Sequence, residues 1–172
     1  MNRAERRLDH AIRVNHAGEY GAVRIYDGQM AVLGSRAAAT SLAHMRAQEV
    51  AHLRYFTGEL QDRAVRPTAL LPLWHIGGFV LGAVTALIGT EAAMACTVAV
   101  EDTVEQHYAS QLAWIPPDDS SLRDNVTRIR DEELQHRASA LDQGATLDGG
   151  YGVLYQSIAA ICRIAIAISK RI

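Results

Sequence analysis

Apolar side chains recur along this chain in steps of three and four, a period that predicts amphipathic helices over most of its length. Leu8, Ile12, Val23, Tyr26, Met30 and Leu33 mark one stripe and predict a first helix over about 9–33. Gly34 and Ser35 break it. A second stripe of Leu42, Met45, Phe56 and Leu60 predicts a helix over about 37–62, stopped by Arg66 and Pro67. So short a turn makes the pair an antiparallel hairpin. Met94, Thr97, Val98, Tyr108 and Leu112 carry a third helix to about Trp114. After the Pro, Asp and Ser run at 116–121, Leu122, Val126, Ile129 and Ala140 carry a fourth, ending near Gly144. A last helix, 151–172, is apolar on nearly every side until Lys170 and Arg171.

Six stripe positions are not apolar: Glu19 in the first helix, Glu49 and His52 in the second, Glu101 in the third, Glu133 and His136 in the fourth. A carboxylate on the dry face of a helix is costly unless it is paired or bound to metal. A Glu and a His three residues apart share one face, with Cβ atoms roughly 5–6 Å apart, close enough for both to reach one ion. One Glu-x-x-His is a weak signal; two copies, each on the buried face, form a strong one. Thirty residues separate Glu19 from Glu49, and 32 separate Glu101 from Glu133, so each half is a hairpin with one lone Glu and one Glu-x-x-His. This all-α pattern is the ligand arrangement of a ferritin-like four-helix bundle that holds two metal ions. Four carboxylates balance two divalent ions, and mixed oxygen and nitrogen donors favour iron over structural zinc. His107 lies about 120° off its stripe and Glu132 about 100° off, whereas Tyr108 is within about 20°; Glu105, about 40° away, is the reserve ligand. Gln48, Glu132 and Asp102 are candidates to orient the two histidines, against a default of solvated helix positions. Gly18 and Gly21 cost the first helix about 1 kcal/mol each relative to alanine, and let a neighbouring helix or a substrate come close.

At 172 residues the chain is read as one domain, 1–172, and its net charge of −2 leaves no footprint for nucleic acid. Cys96 and Cys162 sit singly in apolar runs, as small core residues of a reduced compartment. No apolar stretch follows Arg3, Arg6 and Arg7, so no secretory signal is expected. The 24 residues 67–90 contain no charge, long enough to cross a bilayer. Pro72, His75 and four glycines interrupt that run, and Trp74 suits an interfacial anchor. A crossing there would also put Glu49 and His52 on the wrong side of the membrane from Glu101. The segment is therefore read as an apolar crossover that dips into one leaflet or walls a hydrophobic cavity, with an ordinary buried helix as the alternative. The last helix is placed between bundle and lipid, its basic end at the headgroups.

The runs His16-Ala17-Gly18-Glu19-Tyr20-Gly21-Ala22, Gly28-Gln29-Met30-Ala31-Val32-Leu33-Gly34, Arg66-Pro67-Thr68, Pro72-Leu73-Trp74, Ala93-Met94-Ala95-Cys96-Thr97-Val98-Ala99-Val100-Glu101 and Asp131-Glu132-Glu133-Leu134 together resemble the demethoxyubiquinone hydroxylases. The resemblance covers nearly the whole chain. It implies a di-iron monooxygenase of ubiquinone biosynthesis that uses O2 to hydroxylate the ring of a demethoxyubiquinol, one oxygen entering the ring and the other leaving as water. The six family ligands fall on Glu19, Glu49, His52, Glu101, Glu133 and His136. Catalytic roles in electron delivery fall on Tyr108 and His107. The resemblance further implies a polyprenyl quinone drawn from membrane lipid, NADH as reductant and accessory proteins of the pathway, and the apolar exterior suits a homodimer. Its address would be peripheral, on the cytoplasmic face of a bacterial inner membrane or the matrix face of the mitochondrial one. No Gly-rich dinucleotide fingerprint accompanies these motifs. Two other classes share the bare ligand pattern: a ferritin-type iron store and a rubrerythrin-like peroxide scavenger. The apolar segments 67–90 and 151–168 argue against a soluble cage, and a Cys-x-x-Cys pair for the second is missing.

Overall fold

The computed structural model describes residues 3–34 and 38–170. The expected break at Ser35, the helix start near Ala37 and the terminal Arg171 and Ile172 lie outside the described residues. Six helices form: α1 Arg3–Leu33, α2 Ala39–Asp62, α3 Leu71–Ile88, α4 Thr90–Leu112, α5 Ser120–Asp142 and α6 Gly149–Ser169. No strand occurs among the described residues. The hairpins α1/α2 and α4/α5 make a ferritin-like bundle, with α3 packed along α1 and α6 along α4.

Stripe and core coincide on two helices. The buried residues of α2 are Leu42, Met45, Glu49, His52, Phe56 and Leu60, and those of α5 are Leu122, Val126, Ile129, Glu133, His136 and Ala140. Asp119 caps α5 by accepting a hydrogen bond from the Leu122 N–H at 3.4 Å. On α4 the picture differs. Residues 92–101 are buried all round, because α1, α3, α5 and α6 enclose them. Toward the end of α4, Gln111 is buried while its neighbour Leu112 is half-buried against the Phe56 and Tyr108 cluster. The Gln111 amide exchanges hydrogen bonds of 2.9 and 2.6 Å with buried Asn15 of α1, so the position stays satisfied without being apolar.

One helix boundary departs from the sequence expectation. The first helix begins at Arg3, ahead of its apolar stripe, because the Arg7 guanidinium stacks 4.0 Å from the centre of the Trp114 ring. The second helix ends at Asp62, where its stripe predicts. Ala64 turns left-handed there, with φ 53°, and the Val65 N–H reaches back to the Leu60 carbonyl at 2.8 Å.

The charge-free segment forms α3, an 18-residue helix. Its contact with α1 is made through backbone. A Cβ added at Gly82 would lie 2.0 Å from the Ile25 carbonyl oxygen, and one at Gly28 would lie 2.1 Å from that of Phe79. Small residues spaced four apart, Gly78 and Gly82, let the two helix axes approach this closely. The far side of α3 is exposed and apolar, with Leu73, Ile76, Val80 and Leu87 outward, and α6 adds Val153, Ile161 and Ile164.

Two substitutions test these junctions. Gly82→Ala should destabilise the fold by about 1–3 kcal/mol through overpacking of α3 on α1. Gly77→Ala, whose Cβ would meet nothing within 4 Å, should be tolerated. Relieving the left-handed alanine by Ala64→Gly should stabilise by up to about 1 kcal/mol. Denaturant melts read all three, and a Gly82→Ala protein as stable as the parent would contradict the packing account.

Candidate metal centre

The buried stripes of α1, α2, α4 and α5 turn toward one another at mid-height of the bundle, and Glu19, Glu49, His52, Glu101, Glu133 and His136 meet there. None of the six is more than 2% exposed. They fall into two overlapping foursomes, Glu19, Glu49, His52 and Glu133, then Glu49, Glu101, Glu133 and His136, with donor atoms in each within 4.8 Å of one another. Glu49 and Glu133 belong to both. Each foursome could hold one ion, with Glu49 and Glu133 shared and one further Glu and one His in each.

Both imidazoles point Nδ1 at the centre. His52 Nδ1 lies 3.3 Å from Glu19 Oε2 and 3.3 Å from Glu133 Oε1. His136 Nδ1 lies 3.0 Å from Glu49 Oε1 and 3.1 Å from Glu133 Oε2. Close as these atoms are, Glu19 Oε2, Glu49 Oε1, His52 Nδ1 and Glu133 Oε1 make no hydrogen bond. Buried polar atoms left in that condition cost free energy. Lone pairs converging on a shared space, rather than on each other, fit a pair of divalent ions bound among them.

The outer atoms are satisfied. His52 Nε2 sits 2.5 Å from Glu132 Oε2, and His136 Nε2 donates to Gln48 Oε1 at 3.1 Å. Gln48 and Glu132 therefore orient the histidines, each from the helix opposite its partner, and neither is the solvated default. Asp102 does not join them; it accepts from Arg137 at 2.5 Å and Tyr155 at 2.9 Å and ties α4 to α5 and α6. Glu105, the reserve ligand, is engaged by Arg130 at 2.6 Å, outside the cluster.

Tyr108 donates its hydroxyl to Glu19. Its counterpart Tyr26 donates to Glu101 at 2.6 Å and was legible only as an apolar stripe residue. The signal was present: Tyr26 follows Glu19 by the same seven positions that separate Tyr108 from Glu101. His107 is partly buried, with its ring centre 6.2 Å from that of Tyr108 and its Nε2 unbonded. Burial, and then the Lys170 charge, lower its pKa to about 4, so it is neutral at ordinary pH.

Four carboxyls in one dry site divide their charge unequally. Burial, then the Glu133 charge, push Glu49 and Glu101 well above the ordinary carboxyl range. Burial opposes ionisation of Glu133 too, but its hydrogen bond to His136 and the nearby His52 bring it down to about 2. Burial likewise disfavours charge on His52, yet contact with Glu133 and Glu19 holds it up to about 11. The metal-free site thus keeps protons that bound cations would displace.

Residues of α1, α3, α4 and α6 line an open apolar cavity of about 470 Å³, with none of the six cluster residues in its wall. Gly18 and Val100, sequence neighbours of Glu19 and Glu101, are in its wall, as are Gly21, Ala22, Trp74 and Cys162. Gly21 answers one of the two purposes expected of it, the open wall: a Cβ added there would meet nothing within 4 Å, so its smallness is not what admits α3. Its carbonyl receives α3 at Gly78, and its own Cα opens on the cavity.

Bundle and cluster together define a ferritin-like protein with a carboxylate–histidine centre compatible with two irons. The chain matches the family described as "Ubiquinone biosynthesis protein COQ7" over residues 6–169, and it belongs to that family. It is 47% identical over 169 residues to the human "NADPH-dependent 3-demethoxyubiquinone 3-hydroxylase, mitochondrial", covering 96% of this chain and 78% of that one. The "3-demethoxyubiquinol 3-hydroxylase" of Rhodospirillum rubrum is 46% identical over 166 residues, with the same coverage. The "5-demethoxyubiquinone hydroxylase, mitochondrial" of Saccharomyces cerevisiae is 40% identical over 182 residues, again covering 96% and 78%.

Linkage gives the centre a pH signature. The stabilisation from protonated Glu49 and Glu101 is complete below their unfolded value of 4.5 and is lost as pH rises; that from His52 is complete below 6.5 and is lost toward about 11. Metal-free protein should therefore melt at falling temperatures from about pH 5 to about pH 9. The increase in Tm on adding saturating divalent metal should grow over the same interval. Scanning calorimetry with and without metal reads this, and an increment that shrinks with pH would contradict it.

Proposed function

We propose that this chain hydroxylates the aromatic ring of a demethoxyubiquinol, using O2 at two irons held by the buried cluster. Glu19, Glu49, His52 and Glu133 would hold one iron, and Glu49, Glu101, Glu133 and His136 the other. Irons bound there would supply O2 activation, with two electrons and two protons reducing the second oxygen atom to water. The protein's own share is positional: it fixes six donors, keeps water out, and lays the ring against the α1 wall beside Glu19. Tyr108 steadies the Glu19 carboxylate directly, and His107 acts only through Tyr108.

The observation that carries this reading is the apolar cavity walled in part by Gly18 and Val100, the residues next in sequence to Glu19 and Glu101. Two of its walls, α3 and α6, are also the helices with exposed apolar faces. A polyprenyl tail would pass from lipid into such a cavity without crossing water. The same faces support peripheral attachment, with Trp74 near the headgroups, on the cytoplasmic side of a bacterial inner membrane or the matrix side of the mitochondrial one. They are unsuited to the outside of a soluble iron-storage cage. The electrons come from a reduced nicotinamide. The family resemblance implies NADH, while the human relative is named for NADPH.

A short-tailed demethoxyquinol analogue, incubated with iron and reductant and analysed by mass spectrometry, tests the activity. Glu133→Ala should lose both iron and product; retention of both would refute the assignment. Gly21→Leu should keep two irons per chain yet lower turnover by about tenfold or more, because it fills the wall where the ring must lie. For the membrane, Trp74→Ala should weaken binding to liposomes, and unchanged binding would remove the anchoring role.

A further inference from the structure

The two hairpins repeat each other donor for donor. Glu19 corresponds to Glu101, Glu49 to Glu133 and His52 to His136, and each terminal glutamate receives one phenol, from Tyr108 and Tyr26. The correspondence fails at the outer nitrogens of the imidazoles. His52 meets a carboxylate, Glu132, at 2.5 Å, whereas His136 meets a neutral amide, Gln48, at 3.1 Å. Both Glu132 oxygens also lie 2.9 Å from the Arg128 guanidinium. That guanidinium is half exposed, so water screens its charge and leaves much of the carboxylate's effect on the imidazole in place.

On this basis we infer that the two metal positions are unequal, and that the one between Glu19 and His52 takes its ion first because Glu132 stands behind His52. The inference rests on the two-metal reading above and deepens it. In both histidines the outer nitrogen faces an acceptor oxygen and carries its hydrogen, so Nδ1 is the atom left to offer a lone pair once a cation displaces the proton there. A hydrogen bond to an anion makes that lone pair more basic than one to an amide does. The negative charge of Glu132 also adds to the attraction for a cation at the nearer position. Glu132 and Gln48 are thus positioning residues that act through the histidines and set the order of filling.

The test is stepwise binding of Co(II) to the metal-free full chain, followed by d–d absorption in competition with a chelator. Repulsion between two cations separates the steps at any paired site, so the variants decide. Glu132→Gln, an isosteric change near the surface, should weaken the tight step by about 10–100-fold and leave the weak one in place. Gln48→Glu should strengthen the weak step and close the gap from the other side. Glu19→Gln should abolish the tight step and Glu101→Gln the weak one. Equal loss in both steps on Glu132→Gln, or the reverse assignment by the ligand variants, would overturn the inference while leaving the two-metal reading intact. Failure of the parent chain to take up Co(II) at all would overturn both.

Discussion

Four carboxyl groups enclosed in one dry bundle core cannot all be charged unless cations sit among them. That constraint governs the rest of the molecule. Desolvation and mutual repulsion cost several kcal/mol per uncompensated ion, which no helix-packing energy offsets locally. In the metal-free protein the strain is relieved by protons, retained on Glu49 and Glu101 and on His52. With divalent ions in place those protons become unnecessary, and the four negative charges are what neutralise the metals. The surrounding polar groups follow from this. Tyr26 and Tyr108 fix the terminal carboxylates, and Gln48 and Glu132 fix the imidazoles.

Around that polar centre the chain builds apolar walls. α3 reaches α1 closely only because Gly28, Gly78 and Gly82 carry no side chain, and this contact sets one side of the cavity. α6 supplies the other side. Both helices leave apolar residues facing outward, an arrangement that costs free energy in water and gains it at a lipid surface. The outward apolar face and the cavity belong to the same two helices, so the surface that would hold the membrane also borders the place where a ring would be oxidised.

Much of this was legible before any coordinates. A charged residue in the middle of an apolar stripe is a local conflict, and such conflicts mark function. Glu49 with His52 and Glu133 with His136 declared themselves because the stripes of α2 and α5 have one buried face each. α4 was less readable: with helices packed all round it, burial ceases to be periodic, and Gln111 is buried while Leu112 is half-buried. Tyr26 was hidden because a phenol on an apolar stripe satisfies the pattern whether or not its hydroxyl is used. Asp102 was misjudged as a partner for histidine since its proximity to a ligand in sequence says nothing about which neighbouring helix it faces. The early start of α1 and the left-handed end of α2 depend on Arg7 against Trp114 and on Ala64, contacts and angles that carry no period.

Anomalous diffraction at the iron edge from crystals of iron-loaded protein bears most directly on the central claim. The account predicts two iron peaks about 3.5–4 Å apart, bridged by Glu49 and Glu133, each with one histidine bound through Nδ1. A single peak, peaks at the protein surface, or histidines bound through Nε2 would contradict it.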